Sequence, residues 1–268
     1  VALGRRLFVH SAAGGSHKAC GSGAILTPII EHVTVTGSTN ADLAERLKSG
    51  AALPEGHWLR ADEQRGGRGR RGRPWFSPTG NLYCSTIVRL GPGDPPPHSL
   101  SFVTALAVDD LLDGQLRSAD QGVPRLKWPN DVLVDGAKIS GILLEQQADA
   151  VIIGIGINVA HAPGIPGRAT TAIQLLNPAN CISVTQLLDH LAPLFAARVA
   201  AWRSAGIGPT LAAWEARAHR RGTVLVVTGE GQAPITGTFV GLGGDGSLQL
   251  RLDDGSVRAI HAADVALI

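Results

Sequence analysis

The run VIIGIGINV, residues 151–159, restricts the fold more than any other segment. It is a continuous apolar stretch rich in isoleucine and valine, the pattern of a β-strand covered on both faces. A strand of that kind belongs inside a layered α/β domain. Gly154 and Gly156 open two gaps in it, which tight packing explains, while Asn158 is a polar group expected to face a pocket. GxGxN is not a dinucleotide fingerprint, and the helix that should follow one is missing.

Strand and helix patterns alternate around this run. EHVTVT (31–36) is strand-like, and STNADLAERLKSG after it is a helix pattern. Ser38 or Thr39 serves as N-cap, Asp42 stands three residues after Thr39, Leu43 and Leu47 share a face, and Gly50 is the stop. HWLRADEQ (57–64) and NLYCSTIVRL (81–90) are further strands, and GPGDPPP between elements is a turn-rich linker. Leu100, Val103, Leu106 and Leu111 give 99–117 a helical period. VLV and AKISGILLEQQ, joined by Asp135-Gly136, form a hairpin, because that dipeptide accepts the positive φ of a tight turn. Two helices follow at 183–204 and 208–219, the first expected to kink at Pro193.

From Gly222 the texture changes to short β runs punctuated by Gly and Asp-Gly turns, the pattern of a small antiparallel barrel. The expected division is a segment 1–25 left out of the fold, a mixed-sheet α/β domain at 26–221 and a small β domain at 222–268. Residues 1–25 are rich in Gly, Ala and Ser, and the apolar run after Arg5 and Arg6 is too short and interrupted for a convincing signal peptide. The chain has no Met, which fits an alternative start codon or trimming. Cys20, Cys84 and Cys181 are odd in number and make no CxxC pair, which argues against a disulfide framework or zinc site and for a reducing, cytoplasmic setting. No stretch reaches the length of a membrane span.

The most unusual segment is GGRGRRGRPW (66–75). Arg68, Arg70, Arg71 and Arg73 alternate with Gly67, Gly69 and Gly72, so the backbone can approach a ligand closely while planar guanidinium groups grip phosphate or carboxylate. Such a loop is expected to be mobile when empty and to order around an anion. A basic patch for nucleic acid fits the segment equally well. It lacks the Gly-Lys-Ser/Thr ending of a P-loop. KWPNDV (127–132) enters the hairpin with a bend at Pro129, and Asn130 and Asp131 are either an ordinary turn or polar groups at a strand entrance. Simple alternation puts Lys138 on one face with Ser140, Ile142 and Leu144, a mainly apolar face, and Gly141 on the other. A lysine there needs an anion, either a structural carboxylate such as Glu145 or Asp131 or a substrate. Ser38, Thr39 and Asn40 are explained by helix capping, yet a helix start also offers free N–H groups and hydroxyls to a polar ligand.

Taken in order, GSTN, DEQ, GRGRRGR-x-WFSP, KWPNDV, K-x-x-GIL-x-E and GIGIN resemble the catalytic domain of bacterial biotin–protein ligases, the BirA family. The similarity is close over 34–160 and looser over 180–268. It implies a mixed-sheet domain of the biotin/lipoate ligase, class II synthetase-like type with a small SH3-like β-barrel at the C-terminus. It also implies that Ser38, Thr39, Asn40, Gln64 and Gly141 contact biotin. Arg68, Gly69 and Arg70 would close over biotin and its adenylate, with Arg70 at the carboxylate and α-phosphate. Lys138 would stand at the reacting carboxylate–phosphate junction. Arg71, Arg73, Lys127 and Asn130 fall to the ATP side, and Trp75 and Asn158 to the adenine. Asp131 would hold magnesium or orient the incoming amine. The cofactors implied are ATP and Mg2+ with biotin as substrate, and no metal is expected to be fixed by the protein alone. The partner implied is the biotin carboxyl carrier protein of acetyl-CoA carboxylase or a related carboxylase. Arg65-Gly66 departs from the small or hydroxyl residue followed by Ala or Gly that many relatives carry. The residues before 31 are too few for a winged helix-turn-helix, so DNA binding is not expected, and the state expected is a monomer or weak homodimer.

Two rivals remain at this stage. A lipoate ligase or lipoyl transferase would share the fold, but the GRGRRGR loop and KWPND belong to the biotin branch. A nucleic-acid-binding module would use the arginine run. Against it stand a formal charge of only +2 and an aromatic content of 4%, too little for a stacking platform.

Overall fold

The computed structural model describes residues 28–116, 122–229 and 233–267. The expected unstructured segment 1–25, and Cys20 with it, lies outside the described residues. Seven strands form one mixed sheet: β1 (Ile29–Thr36), β2 (His57–Gln64), β3 (Leu82–Arg89), β4 (Pro124–Lys127), β5 (Asp131–Val134), β6 (Ala137–Gln147) and β7 (Ala150–Ile157). Their spatial order is β1-β2-β3-β7-β6-β5-β4, with β1 and β2 parallel and every other pair antiparallel.

β7 lies at the centre and is covered on both faces, as its composition predicts. Val151, Ile153, Ile155 and Ile157 enter the large core, which α2 (Leu100–Leu116), α4 (Val184–Ala205) and α5 (Ile207–Arg217) cover. Ala150 and Ile152 point the other way, into a small core with Leu59, Ile87 and Leu43 of α1 (Thr39–Lys48). Continuing that second face two residues at a time gives Gly154, Gly156 and Asn158. The small core therefore gives way along one strand face to a space lined by glycine. That space is the site described below.

Local signals set the element ends. Ser38 is the N-cap of α1 and accepts from the Ala41 N–H. The Asp42 carboxylate does not complete a capping box; it accepts from Thr36 Oγ1 at 2.6 Å. The helix stops in a Schellman turn: Gly50, at φ +80°, donates to the Leu47 carbonyl and Ala51 to that of Arg46. A full capping box stands instead at Ser183 and Gln186 before α4, which continues through Pro193. The short α3 (Ile173–Leu176) has no counterpart among the sequence-based expectations. The Asp135-Gly136 turn carries the expected positive φ at both residues.

The C-terminal strands β8 (Val224–Thr228), β9 (Ile235–Leu242), β10 (Leu248–Arg251), β11 (Val257–Ile260) and β12 (Asp264–Leu267) form an antiparallel sheet in the order β11-β10-β9-β8-β12. It shares the large core through Leu225, Val227, Phe239, Leu248 and Leu250. The buried Trp128 indole donates to the Gly246 carbonyl at 3.0 Å, which fixes this sheet against the strand entrance of KWPND.

Arg217 of α5 ties down α2 through Asp109 at 3.1 Å and Asp110 at 2.7 Å. Burial outweighs the Arg217 charge at Asp109 and pushes its carboxyl up to about 6. The folded chain therefore holds a proton there that the unfolded chain releases, so stability from this group is lost as pH rises from about 4 to about 6. Asp109→Asn removes the dependence while Asp110 keeps Arg217 paired. Denaturant titrations should show the variant gaining on the parent over that interval, by on the order of 2 kcal/mol. A pH-independent difference would show that burial does not perturb Asp109.

Candidate active site

A cavity of about 1450 Å³ opens over the glycine face of β7. Its walls are the start of α1, the Gly/Arg loop, the strand entrance at 127–131, the loop 163–170 and the segment Asp264–Val265. Its two ends differ in chemistry.

One end is neutral and densely hydrogen-bonded. Thr39 and Asn40 are buried at the first turn of α1. Gln64, at the end of β2, accepts the Thr39 N–H through Oε1 at 2.9 Å, and Thr39 Oγ1 lies 2.6 Å from the buried Ser85 hydroxyl. A Cβ on Gly154 would stand 2.5 Å from Asn40 Oδ1, so only glycine lets that amide lie flat on the strand.

The other end is cationic. Lys138 Nζ donates to Asp131 Oδ1 at 2.6 Å, which selects Asp131 over Glu145 as its carboxylate. Lys127 is half-buried near them. Desolvation lowers its pKa against the pull of Asp131, and the charges of Arg168 and Lys138 lower it further. Arg70 enters from the loop and donates to Asn130 Oδ1 at 3.4 Å and the Ala263 carbonyl at 3.3 Å. Asn130 is held in turn by the Ile142 carbonyl at 2.5 Å. Two anions brought into this end would meet positive groups from three different elements.

The face of Lys138 differs from the one that alternation gives. Val132 pairs with Ser140 but Leu133 pairs with Lys138, so the register slips and β6 carries one extra residue. The slip turns Lys138 away from buried Ser140 and Ile142 and onto the side of Gly141, where an added Cβ would lie 3.1 Å from Nζ. On the edge away from β5, the Lys138 N–H donates to the Ala169 carbonyl and its carbonyl accepts from the Thr171 N–H, since pairing with β7 begins only at Ser140.

The loop 66–75 is tied to the C-terminal sheet. Arg71 and Arg73 pair with Asp264 at 3.0 and 2.7 Å, while Arg68 is exposed at the cavity rim. Arg71 and Gly72, at φ +58° and +68°, make the tight turn, and Gly69 N–H donates to the Arg73 carbonyl. The Trp75 indole lies over Gly141 and Gly156, 5.1 Å from Lys138 Nζ, and its Nε1 is buried without a partner. Asn158 lines the cavity, but its amide donates to the carbonyls of Thr171 at 2.9 Å and Lys138 at 3.4 Å. It therefore holds a neighbouring segment in place.

Residues 33–158 match the biotin/lipoate A/B protein ligase family, and residues 223–267 match the biotin protein ligase C terminal domain. A biotin–[acetyl-CoA-carboxylase] ligase of Paracoccus denitrificans is 38% identical over 239 residues, 86% of this chain and 97% of that protein. One from Mycobacterium tuberculosis is 35% identical and covers 88% of each chain. The chain belongs to the biotin–protein ligase family. Its fold superposes on the biotin protein ligase of Aquifex aeolicus in complex with biotin and ATP, with a TM-score of 0.76 at 26% identity over 89% of this chain and 98% of that one.

Nearly every residue singled out in the sequence for this family lines the one cavity: Ser38, Thr39, Asn40, Gln64, Arg68, Gly69, Arg70, Arg73, Trp75, Lys127, Asn130, Asp131, Lys138, Gly141 and Asn158. Arg71 stands just behind, on Asp264. Four contributors went unread. Ser77 and Ser85 are single hydroxyls inside strand-like text. Arg168 sits in a Pro/Gly loop, and Asp264 is a lone acid in AADVALI. None carries a local pattern that separates it from a surface residue.

Proposed function

We propose that the chain is a biotin–protein ligase that activates biotin with MgATP and passes it to a lysine of a biotin carboxyl carrier. The observation that carries this reading is the polarity of the cavity. A cyclic urea suits the neutral end at Thr39, Asn40 and Gln64, and a carboxylate at the end of a flexible tail suits Lys138 and Arg70. In the first step a biotin carboxylate oxygen attacks the α-phosphorus of ATP and the bond to pyrophosphate breaks. Lys138 and Arg70 stabilise the charge on the α-phosphoryl oxygens. In the second step the carrier lysine attacks the mixed anhydride and AMP leaves. Trp75 and Asn158 are assigned to the adenine side, Asn158 acting through the carbonyls it holds, and Lys127, Asn130, Arg71 and Arg73 to the phosphates. Magnesium bound with the nucleotide would supply charge neutralisation for the leaving pyrophosphate. Among the described residues no group of three His, Cys, Asp or Glu gathers around a metal, and Asp131 already has Lys138 as its cation.

The division proposed is a catalytic domain at 26–221 and a C-terminal domain at 222–268 that bears on the loop through Asp264. The setting proposed is cytoplasmic; among the described residues no helix is long and apolar enough to cross a membrane. The acceptor is the carrier of acetyl-CoA carboxylase or a related carboxylase, the chain acts as a monomer or weak homodimer, and a role on DNA is not part of this reading. Two of the loop arginines already share Asp264 as a partner, which disfavours a nucleic-acid grip.

The test is biotin-dependent exchange of labelled pyrophosphate into ATP. Exchange should require biotin, and biotin rather than lipoate should raise the melting temperature. No exchange from folded protein would overturn the reading, and stabilisation by lipoate alone would transfer it to the lipoate branch.

A further inference from the structure

We propose that Glu145 is a positioning residue that fixes the hydrogen-bond polarity of the neutral wall, so that the wall offers acceptors to the ligand. The proposal rests on reading that wall as the biotin head-group site. Glu145 is an exposed residue of β6, and its Oε2 accepts Asn40 Nδ2 at 2.7 Å. A carboxylate accepts and never donates, so the buried Asn40 amide has one orientation: nitrogen toward Glu145, oxygen against Gly154 on the cavity side. Ser85 then donates to Asn40 Oδ1 at 2.6 Å. With its only proton committed, Ser85 Oγ is left to accept from Thr39 Oγ1, 2.6 Å away; Thr39 Oγ1 also lies 3.1 Å from Gln64 Oε1, and its single proton goes to the shorter contact.

The far end of the chain of bonds is fixed independently. Ser77 Oγ donates to the Trp75 carbonyl at 2.9 Å, so it accepts from Gln64 Nε2 at 3.2 Å. That leaves Gln64 Oε1 facing Thr39, whose N–H it accepts. The free lone pairs at the wall belong to Thr39 Oγ1, Asn40 Oδ1 and Gln64 Oε1. A wall of acceptors suits the two N–H donors of a cyclic urea, with one acceptor to spare, and offers nothing to a dithiolane ring. Were the Asn40 amide inverted, its NH2 would oppose a ligand N–H in a buried place, where a mispaired donor is costly.

The substitutions that test this differ in proton logic and leave the exposed position otherwise alone. Glu145→Lys turns an acceptor into a donor and forces the inversion. Glu145→Ala only releases the amide, and Glu145→Gln permits both orientations. The KM for biotin in pyrophosphate exchange should rise ~30-fold for lysine, about 5-fold for alanine and no more than about 3-fold for glutamine, with kcat within about 3-fold throughout. Glu145→Asp should return the KM toward the parent value. Mere loss of a structural contact predicts alanine at least as damaging as lysine. That ranking, or a fall in kcat in place of the rise in KM, overturns the proposal. Loss of biotin-dependent exchange in the parent protein would be a failure of the ligase reading instead, so the two outcomes are distinct.

Discussion

Replacing Lys138 with alanine should lower biotin-dependent pyrophosphate exchange by about a thousandfold, the scale set by removal of one preorganised charge donor at a reacting oxyanion. The ammonium is in place before any ligand arrives. Asp131 holds it at 2.6 Å, the register slip in β6 aims it into the cavity, and the Ala169 and Thr171 backbones pin its own. The loss should fall on kcat more than on the KM for biotin, because charge on the α-phosphoryl oxygens grows toward the transition state. Lys138→Arg keeps the charge but not the compact ammonium and should recover only part of the rate. Melting curves serve as the control, since removing the lysine deprives Asp131 of its ion-pair partner and leaves it the fields of Lys127 and Arg70. A folded alanine variant that exchanges within threefold of the parent would move the chemistry away from Lys138 and toward Arg70.

The fold was largely legible because its strongest constraint is compositional. A run such as 151–159 has no place but the middle of a covered sheet, and the Asp135-Gly136 turn and the Ser38 and Gly50 ends of α1 follow from local chemistry. The site was legible as a set of residues, less so as a geometry. Period-two counting put Lys138 on an apolar face, since a single extra residue in β6 is invisible to any pattern yet inverts the side chain. The sequence shows that the arginines of the loop repel one another, but not what balances them. The counter-charge comes from Asp264, 191 residues from Arg73 and in another sheet, and no spacing rule reaches that far. The polarity of the neutral wall was hidden for the same reason: Asn40, Glu145, Ser85 and Ser77 are unremarkable singly, and only their contacts determine which atom donates.

Asp264 leads to the second large expected effect. Burial opposes ionisation of its carboxyl, yet the Arg73 hydrogen bond and the charges of Arg73, Arg71 and Arg70 hold it below the usual carboxylate range. It is therefore an anion at neutral pH and the point at which the C-terminal sheet grips the loop. Each of its two ion pairs is partly exposed and contributes ~0.2–1 kcal/mol, so together they bias the loop by roughly tenfold. Asp264→Lys removes both pairs and adds a cation beside Arg70, Arg71 and Arg73. With biotin and ATP present but no acceptor, AMP should then appear about ten times faster than from the parent, because an unanchored loop leaves the mixed anhydride open to water. Pyrophosphate exchange, whose groups lie at Lys138, should fall far less. Asp264→Asn, which keeps the shape and loses the charge, should fall between the two. If exchange collapses while the rate of AMP appearance stays unchanged, the carboxylate serves adenylation itself, and the loop is held by its other contacts, those of Arg70 to Asn130 and Ala263 among them.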